Sequence, residues 1–146
     1  MKKIQQTLDS IAETYRERSG EETCLQLTEA TDSILLSNAS HFPPQVGLIA
    51  IGGYGRRELS RYSDIDLLIL YSKSGTDEIQ SLIKRFLHPL WDARLDVKHS
   101  VHTLSEIETK VSEDSDFASA IIDFRVLGKE TEGTRRFREW TWEDFS

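Results

Sequence analysis

Apolar residues near the start of the chain recur at the spacing of a helix. Ile4, Leu8, Ile11 and Tyr15 are separated by four, three and four residues, which predicts one amphipathic helix. After Ser19-Gly20 a second helical stripe follows, formed by Cys24, Leu27, Ala30, Ile34 and Leu35. Pro43 and Pro44 end this pattern and require extended backbone. Residues 1–42 are therefore expected to form a helical hairpin whose apolar stripes pack on another part of the chain.

Three later segments show the apolar patterns of strands. Residues 46–51 and 65–71 are nearly unbroken apolar runs, which are typical of buried strands. Residues 95–101 alternate between apolar and polar side chains, which predicts a strand with one covered face. We expect a short mixed sheet from these three strands.

Helical patterns separate and follow these strands. Thr76 is the expected N-cap of a helix that continues to Trp91, with a kink or an early end at Pro89. The spacing of Thr103 and Glu106 predicts a capping box and a short helix. The residues expected to form the buried stripe of a further helix, closed by Gly128, are Phe117, Ala120, Ile121, Phe124 and Leu127. An aromatic-rich helix is expected at the end of the chain. The fold class is thus α/β, with a short mixed sheet flanked by helices.

Composition and charge narrow the possible functions. A chain of 146 residues with 38% apolar residues suits one domain, with a hairpin over 1–42 and a core over 43–146. The net charge of −7 argues against a DNA-binding face, although a small anion site remains compatible with it. Cys24 is the single cysteine, so neither a disulfide framework nor a thiolate metal cage is expected. The sequence shows neither a membrane span nor a secretory signal, and a cytoplasmic location is expected.

The residues that point to chemistry lie between two of the predicted strands. Gly52-Gly53 follows the first strand, and Asp64-Ile65-Asp66 opens the second. Side chains two apart on a strand project to the same side, so Asp64 and Asp66 are expected to lie together. Paired carboxylates repel each other unless a cation separates them, and hard oxygen ligands of this kind suit Mg²⁺. The arrangement indicates a site for a metal-bound triphosphate.

The glycines and arginines between the two strands fit the same interpretation. Gly52 and Gly53 have no Cβ and allow a bulky ligand to approach the backbone. If a helix begins near Tyr54, its N-terminus would favour phosphate, and Arg56 and Arg57 would add positive charge. Each arginine could equally lie on a solvated face.

Several other residues are interpreted mainly in structural terms. Ser63 is interpreted as either a nucleotide contact or a cap of its own turn. His99 is expected to be a hydrogen-bonded core histidine, and Trp91 and Trp140 are expected to be core or docking aromatics.

The segment Gly52-Gly53 followed by Asp64-Ile65-Asp66 resembles the signature of the DNA polymerase beta–like nucleotidyltransferase superfamily. More narrowly, residues 52–59 and 62–68 look like the bacterial protein-PII uridylyltransferase family, and the likeness extends over about 46–129. At two positions the chain departs from that pattern, because Asp96 replaces a usual Glu and Lys98 a usual Gly.

The resemblance implies a nucleotidyltransferase fold and the transfer of UMP from UTP to a tyrosine of a PII-type signal protein in nitrogen regulation. It also implies two Mg²⁺ ions on Asp64 and Asp66, with a third carboxylate on the neighbouring strand. We expect Asp96 in that role and consider Asp92 its rival. The nucleotide would contact the residues named above, which are Gly52, Gly53, Arg56, Arg57 and Ser63.

Members of this family are long and carry a His-Asp phosphohydrolase domain after the transferase. None of the four histidines of this chain is followed by Asp, so a fragment of a longer enzyme is expected, with a stand-alone relative as the alternative. Two other functions stay open. One is transfer to a small molecule or a toxin-system partner, and the other is a catalytically silent module that binds nucleotide.

Overall fold

The structure, a computed structural model, describes residues 2–13, 20–72 and 78–145. The four strands of this part of the chain are β1 Val46–Ala50, β2 Ile65–Tyr71, β3 Val97–His102 and β4 Arg125–Leu127. Its seven helices are α1 Lys2–Glu13, α2 Gly20–Asn38, α3 Gly52–Gly55, α4 Ile79–Asp92, α5 Leu104–Glu113, α6 Ser115–Ile122 and α7 Glu132–Phe145. The α/β class and the mixed sheet that the sequence predicts are confirmed.

The four strands form one sheet in the order β3-β2-β1-β4. Strand β1 runs antiparallel to both β2 and β4, whereas β2 and β3 are parallel, with Ile65 opposite Val97. The N-terminal ends of β2 and β3 therefore lie side by side. The C-terminal end of β1 reaches the same edge of the sheet, because β1 is antiparallel to β2.

The sheet is covered on both faces, as the unbroken apolar runs predict. Alternate side chains of β1 and β2, such as Leu48 and Leu67, pack in a core with α1, α2 and α4. Their neighbours Ile49 and Leu68 point to the other face and pack in a second core with α5, α6 and α7. Because both faces are filled, the strand ends are what remains available for a ligand.

Several predicted helix ends are confirmed and others differ. Helix α2 begins at Gly20 and ends at Asn38, before the two prolines. Thr103 caps α5 by accepting a hydrogen bond from the Glu106 amide at 3.4 Å. Helix α4 continues through Pro89 to Asp92, so no early end occurs there. The predicted cap at Thr76 lies outside the described residues, as does Tyr15.

The prediction of a single helix that continues to Leu127 is wrong. Helix α6 ends at Ile122, and the chain then turns into β4, which pairs with β1 from Leu48 to Ala50. Gly128 follows a strand and takes φ +73°. The pairing of β4 with the edge of β1 outweighs the helical spacing, because only Phe124 and Leu127 continue that spacing beyond the end of α6.

Among the described residues, no helix has both the length and the apolar character needed to cross a membrane.

Candidate active site

A tight glycine turn joins β1 to the rest of the site. After Ile51 the backbone enters the single turn α3, where Gly52 takes φ +60°. A Cβ at Gly52 would lie 3.1 Å from Oδ2 of Asp66, and a Cβ at Gly55 only 2.5 Å from the carbonyl oxygen of Asp123. Both positions therefore require glycine, the first because the backbone is left-handed and close to a carboxylate. The turn holds its backbone directly against the predicted metal ligands.

Backbone hydrogen bonds fix the three chain segments of the site to one another. The Ile51 amide donates to the Asp66 carbonyl at 3.1 Å, and the Ile65 amide donates to the Asp96 carbonyl at 2.9 Å. These bonds extend the β1–β2 and β2–β3 ladders to the edge of the sheet. Asp64, Asp66 and Asp96 thus come together at one place, although 32 residues separate the first from the last.

The three carboxylates influence one another electrostatically. Burial raises the pKa of the Asp66 carboxyl above its ordinary value, and the charges of Asp64 and Asp96 add to this effect. A hydrogen bond to Asp64 raises the pKa of Asp96. Asp64 has a lowered pKa instead, because Lys98 is its hydrogen-bond and charge partner. Asp64 is exposed and Asp66 half-buried, so the cluster opens to solvent.

Lys98 is the cation that lies among these carboxylates. Its Nζ donates to Oδ2 of Asp64 at 2.7 Å, and it stands opposite Asp66 in the β2–β3 register. The pKa of Lys98 is raised, first by its hydrogen bond to Asp64 and by the Asp64 charge, with smaller contributions from Asp96 and Asp66. Sequence reasoning noted Lys98 only as a departure from a family pattern. The pairing of β2 with β3 is what places Lys98 beside the carboxylates.

Oxygen donors of the kind in this cluster are those that Mg²⁺ prefers. Within the described ranges, no group of three or more Asp, Glu, His or Cys side chains is arranged so that it could hold a metal ion. Mg²⁺, however, uses few protein carboxylates and takes its other ligands from water and substrate phosphates. The Lys98 ammonium lies 2.7 Å from Oδ2 of Asp64. Asp64 and Asp66 are the residues that would hold Mg²⁺, with Asp96 beside them.

The predicted nucleotide-contacting side chains take different positions. Arg56 lies beside the turn and pairs with Glu58 at 3.0 Å and Asp123 at 3.4 Å. Arg57 is exposed and has φ +60°. Ser63 exchanges two hydrogen bonds of 2.9 Å with the Ser60 backbone, which is the turn-capping arrangement. The nucleotide contacts of these three side chains stay predictions.

Three residues outside the main site also bear on the sequence predictions, namely His99, Trp91 and Asp92. His99 is exposed and lies 5.9 Å from the Trp91 ring, so the expectation of a core histidine is wrong. Trp91 is itself 45% exposed. Asp92 is the last residue of α4 and is exposed, and it is not among the charges that act on Asp64, Asp66 and Asp96.

The sequence analysis did not predict the half-buried polar cluster that lies next to the glycine turn. Arg125 of β4 donates to both carboxylate oxygens of Asp32 in α2, at 2.6 and 3.2 Å, and to the Tyr54 carbonyl at 3.1 Å. The Tyr54 hydroxyl donates to Asp32 at 2.5 Å, and burial raises the pKa of that hydroxyl. The cluster fastens α3 to α2 and β4. Only the three-dimensional fold reveals it, because Asp32 and Arg125 are 93 residues apart.

A large cleft of the described structure lies elsewhere. It has a volume of about 1090 Å³ and extends between the Phe42–Gln45 loop, Gly47 at the start of β1 and the Gly128–Gly133 loop. The carboxylates lie at the other end of β1. A large volume alone therefore does not identify the site. The candidate site is assigned from the carboxylates and the glycine turn instead.

The fold and the site define the class of protein. The nucleotidyltransferase domain family matches residues 32–123, more than half of the chain, and the chain belongs to this family. The matched residues include the glycine turn, Asp64, Asp66, Asp96 and Lys98.

Individual relatives show which members of this family the chain is similar to. The chain is 42% identical over 84 residues to a bifunctional uridylyltransferase/uridylyl-removing enzyme of Pseudoalteromonas translucida, covering 58% of this chain and 10% of that protein. It is 34% identical over 133 residues to the protein of the same name in Photobacterium profundum, covering 85% of this chain and 15% of that protein. A third such enzyme, from Nitrosococcus oceani, is 39% identical over 85 residues, 58% of this chain and 10% of that protein. The chain therefore spans only 10–15% of the length of these relatives.

Proposed function

We propose that this domain transfers UMP from UTP to a hydroxyl of a protein acceptor of the PII type and releases pyrophosphate. Membership of the nucleotidyltransferase domain family supports the reaction class. The choice of uridylyl follows the names of the relatives, and the PII-type acceptor follows the resemblance described above.

The observation that carries the proposal is the position of Asp66 against the glycine turn. The 3.1 Å between Oδ2 of Asp66 and a Cβ built on Gly52 means that a ligand over this turn lies next to the carboxylates. Phosphates on the turn and a cation on Asp64 and Asp66 would therefore meet at one point. A bound Mg²⁺ would neutralise the charge of the triphosphate and of the pentavalent transition state.

The residues of the chain mainly position the reactants. Gly52 and Gly53 offer backbone against which the triphosphate can lie, and Arg56 is near enough to Gly53 to add positive charge, with its terminal nitrogen 3.8 Å from a Cβ built there. The acceptor oxygen attacks the α-phosphorus, the bond to the bridging oxygen breaks, and pyrophosphate leaves. Asp96, at the open side of the cluster, would accept the proton of the attacking hydroxyl. Holding the reactants in line supplies much of the rate.

An assay of labelled nucleotide tests this proposal. The purified chain is incubated with Mg²⁺, a PII-type protein and each of the four α-³²P-labelled ribonucleoside triphosphates. We expect label on the acceptor from UTP, and its loss in Asp64→Asn and Asp66→Asn. Asp92→Asn is the matched control, because Asp92 is an exposed carboxylate at the end of α4.

Two results would count against the proposal. Transfer that survives both substitutions would show that the carboxylates are assigned wrongly. Absence of both transfer and Mg²⁺-dependent nucleotide binding, with every nucleotide, would contradict the proposed function itself.

A further inference from the structure

We propose that Lys98 takes the place of one of the two divalent cations, so that this domain binds a single metal ion together with its nucleotide. The inference rests on the proposed function, because it concerns the same site. It concerns what occupies the carboxylate cluster before and during nucleotide binding.

The strand register places Lys98 within the cluster. Asp66 and Lys98 are directly opposite each other on β2 and β3, and the Ile65–Asp96 hydrogen bond sets Asp64 beside Asp96. The four side chains thus form two cross-strand pairs on one face of the sheet, three acidic and one basic. Lys98 reaches diagonally across this arrangement to Oδ2 of Asp64, at 2.7 Å.

Charge supports a single ion. The Lys98 ammonium, 2.7 Å from Oδ2 of Asp64, already places one positive charge where a second divalent cation would bind. A second divalent cation near Asp64 and Asp96 would meet the ammonium group at close range, and the repulsion of like charges disfavours it. The lysine can remain in the cluster because its four-carbon stem keeps the ammonium mobile enough to adjust when an ion binds.

Other basic side chains near the turn are less suited to this role. Arg56 is already engaged by Glu58 and Asp123. Arg61 pairs with Asp9 of α1 at 2.7 Å. Of the basic residues whose pairing the structure describes, Lys98 is the one bonded to a predicted metal ligand.

The number of bound ions tests the inference directly. Mn²⁺ serves as the probe, and its binding to the chain saturated with α,β-methylene-UTP is counted by electron paramagnetic resonance of the free ion. We expect one Mn²⁺ per complex for the wild type. In Lys98→Ala and in Lys98→Gln the number should double to two, because the tethered cation is gone. Lys84→Ala, which removes an exposed lysine from α4, should still bind one.

The outcomes separate this inference from the proposed function. Two Mn²⁺ ions in the wild type, or one in both Lys98 variants, would overturn the role of Lys98 and leave the proposed function standing. No Mn²⁺-dependent binding of the analogue to the wild type would contradict the proposed function, and the inference with it. The folded state of each variant is checked by the cooperativity of its thermal transition.

Discussion

The atoms nearest to each glycine of the turn determine whether a side chain fits at that position. A Cβ at Gly55 would lie 2.5 Å from one carbonyl oxygen and 2.9 Å from another, of Asp123 and Ala50. A Cβ at Gly53 would meet only the flexible end of Arg56, at 3.8 Å. Glycines two positions apart in one motif thus have different reasons to be there.

We expect Gly55→Ala to lower the free energy of unfolding by about 1–3 kcal/mol, since backbone on both sides must move. Gly53→Ala should change it by no more than about 0.5 kcal/mol. Urea denaturation of both variants measures the difference. Equal stability of the two variants would contradict the steric role assigned to Gly55.

Asp66 illustrates a conflict between stability and function at one residue. The raised pKa of Asp66 in the folded state means that ionisation of this carboxyl destabilises the fold. The destabilisation grows as the pH rises from the pKa of the unfolded state to the pKa of the folded state. We therefore expect Asp66→Asn to raise the melting temperature of the ligand-free chain at pH 7. The same substitution should remove the stabilisation by Mg²⁺ and UTP.

Thermal denaturation with and without Mg²⁺–UTP checks both halves of this prediction, with Asp92→Asn as the control. A lower melting temperature of ligand-free Asp66→Asn would contradict the electrostatic account. Full ligand stabilisation of this variant would contradict the assignment of Asp66 to the site.

At the scale of elements, the short helix α3 depends on its neighbours. A four-residue helix has little stability of its own, because nucleation is costly. The Asp32–Arg125–Tyr54 cluster supplies the support, through an ion pair whose side chains are 12% and 23% exposed. The position of the glycine turn is therefore set by α2 and β4, which themselves lie outside the motif.

Arg125→Ala should destabilise the chain by about 3 kcal/mol, because it leaves the half-buried Asp32 carboxylate without its cationic partner. The matched control is Arg135→Ala, which breaks an exposed pair with Glu139 and should cost no more than about 0.5 kcal/mol. Chemical denaturation measures both. A similar small effect of the two substitutions would mean that the cluster does not support α3.

The same elements show what the sequence could and could not predict. The glycine turn and the Asp64/Asp66 pair were predictable because local spacing determines which side chains share a face. The third carboxylate candidate, Asp96, could be chosen because it opens an alternating strand. By contrast, β4 continued a helical stripe, and the Lys98–Asp64 contact depends on a parallel register that no local pattern encodes.

At the scale of the whole molecule, two cores enclose the sheet and the site lies at one of its ends. Both faces of β1 and β2 are buried, so the ends of these strands are what remains open to a ligand. The large cleft at the opposite end of β1 is about 1090 Å³ in volume and lies away from every predicted catalytic carboxylate. Nucleotide is expected at the smaller, charged end.

The relatives are named for removal of uridylyl groups as well as their transfer, and the chain spans 10–15% of their length. The 146 residues contain no His-Asp dipeptide. We expect this chain, tested by itself without pyrophosphate, to release no UMP from a uridylylated acceptor. Chromatographic detection of UMP above the acceptor-only blank would contradict that expectation.

The most direct test of the central claim is a crystal structure of the chain with α,β-methylene-UTP and Mn²⁺, using the anomalous signal of manganese. The account predicts manganese within coordination distance of the Asp64 and Asp66 carboxylates, and the triphosphate against the Gly52-Gly53 backbone. Nucleotide in the large cleft, or manganese away from both aspartates, would contradict it.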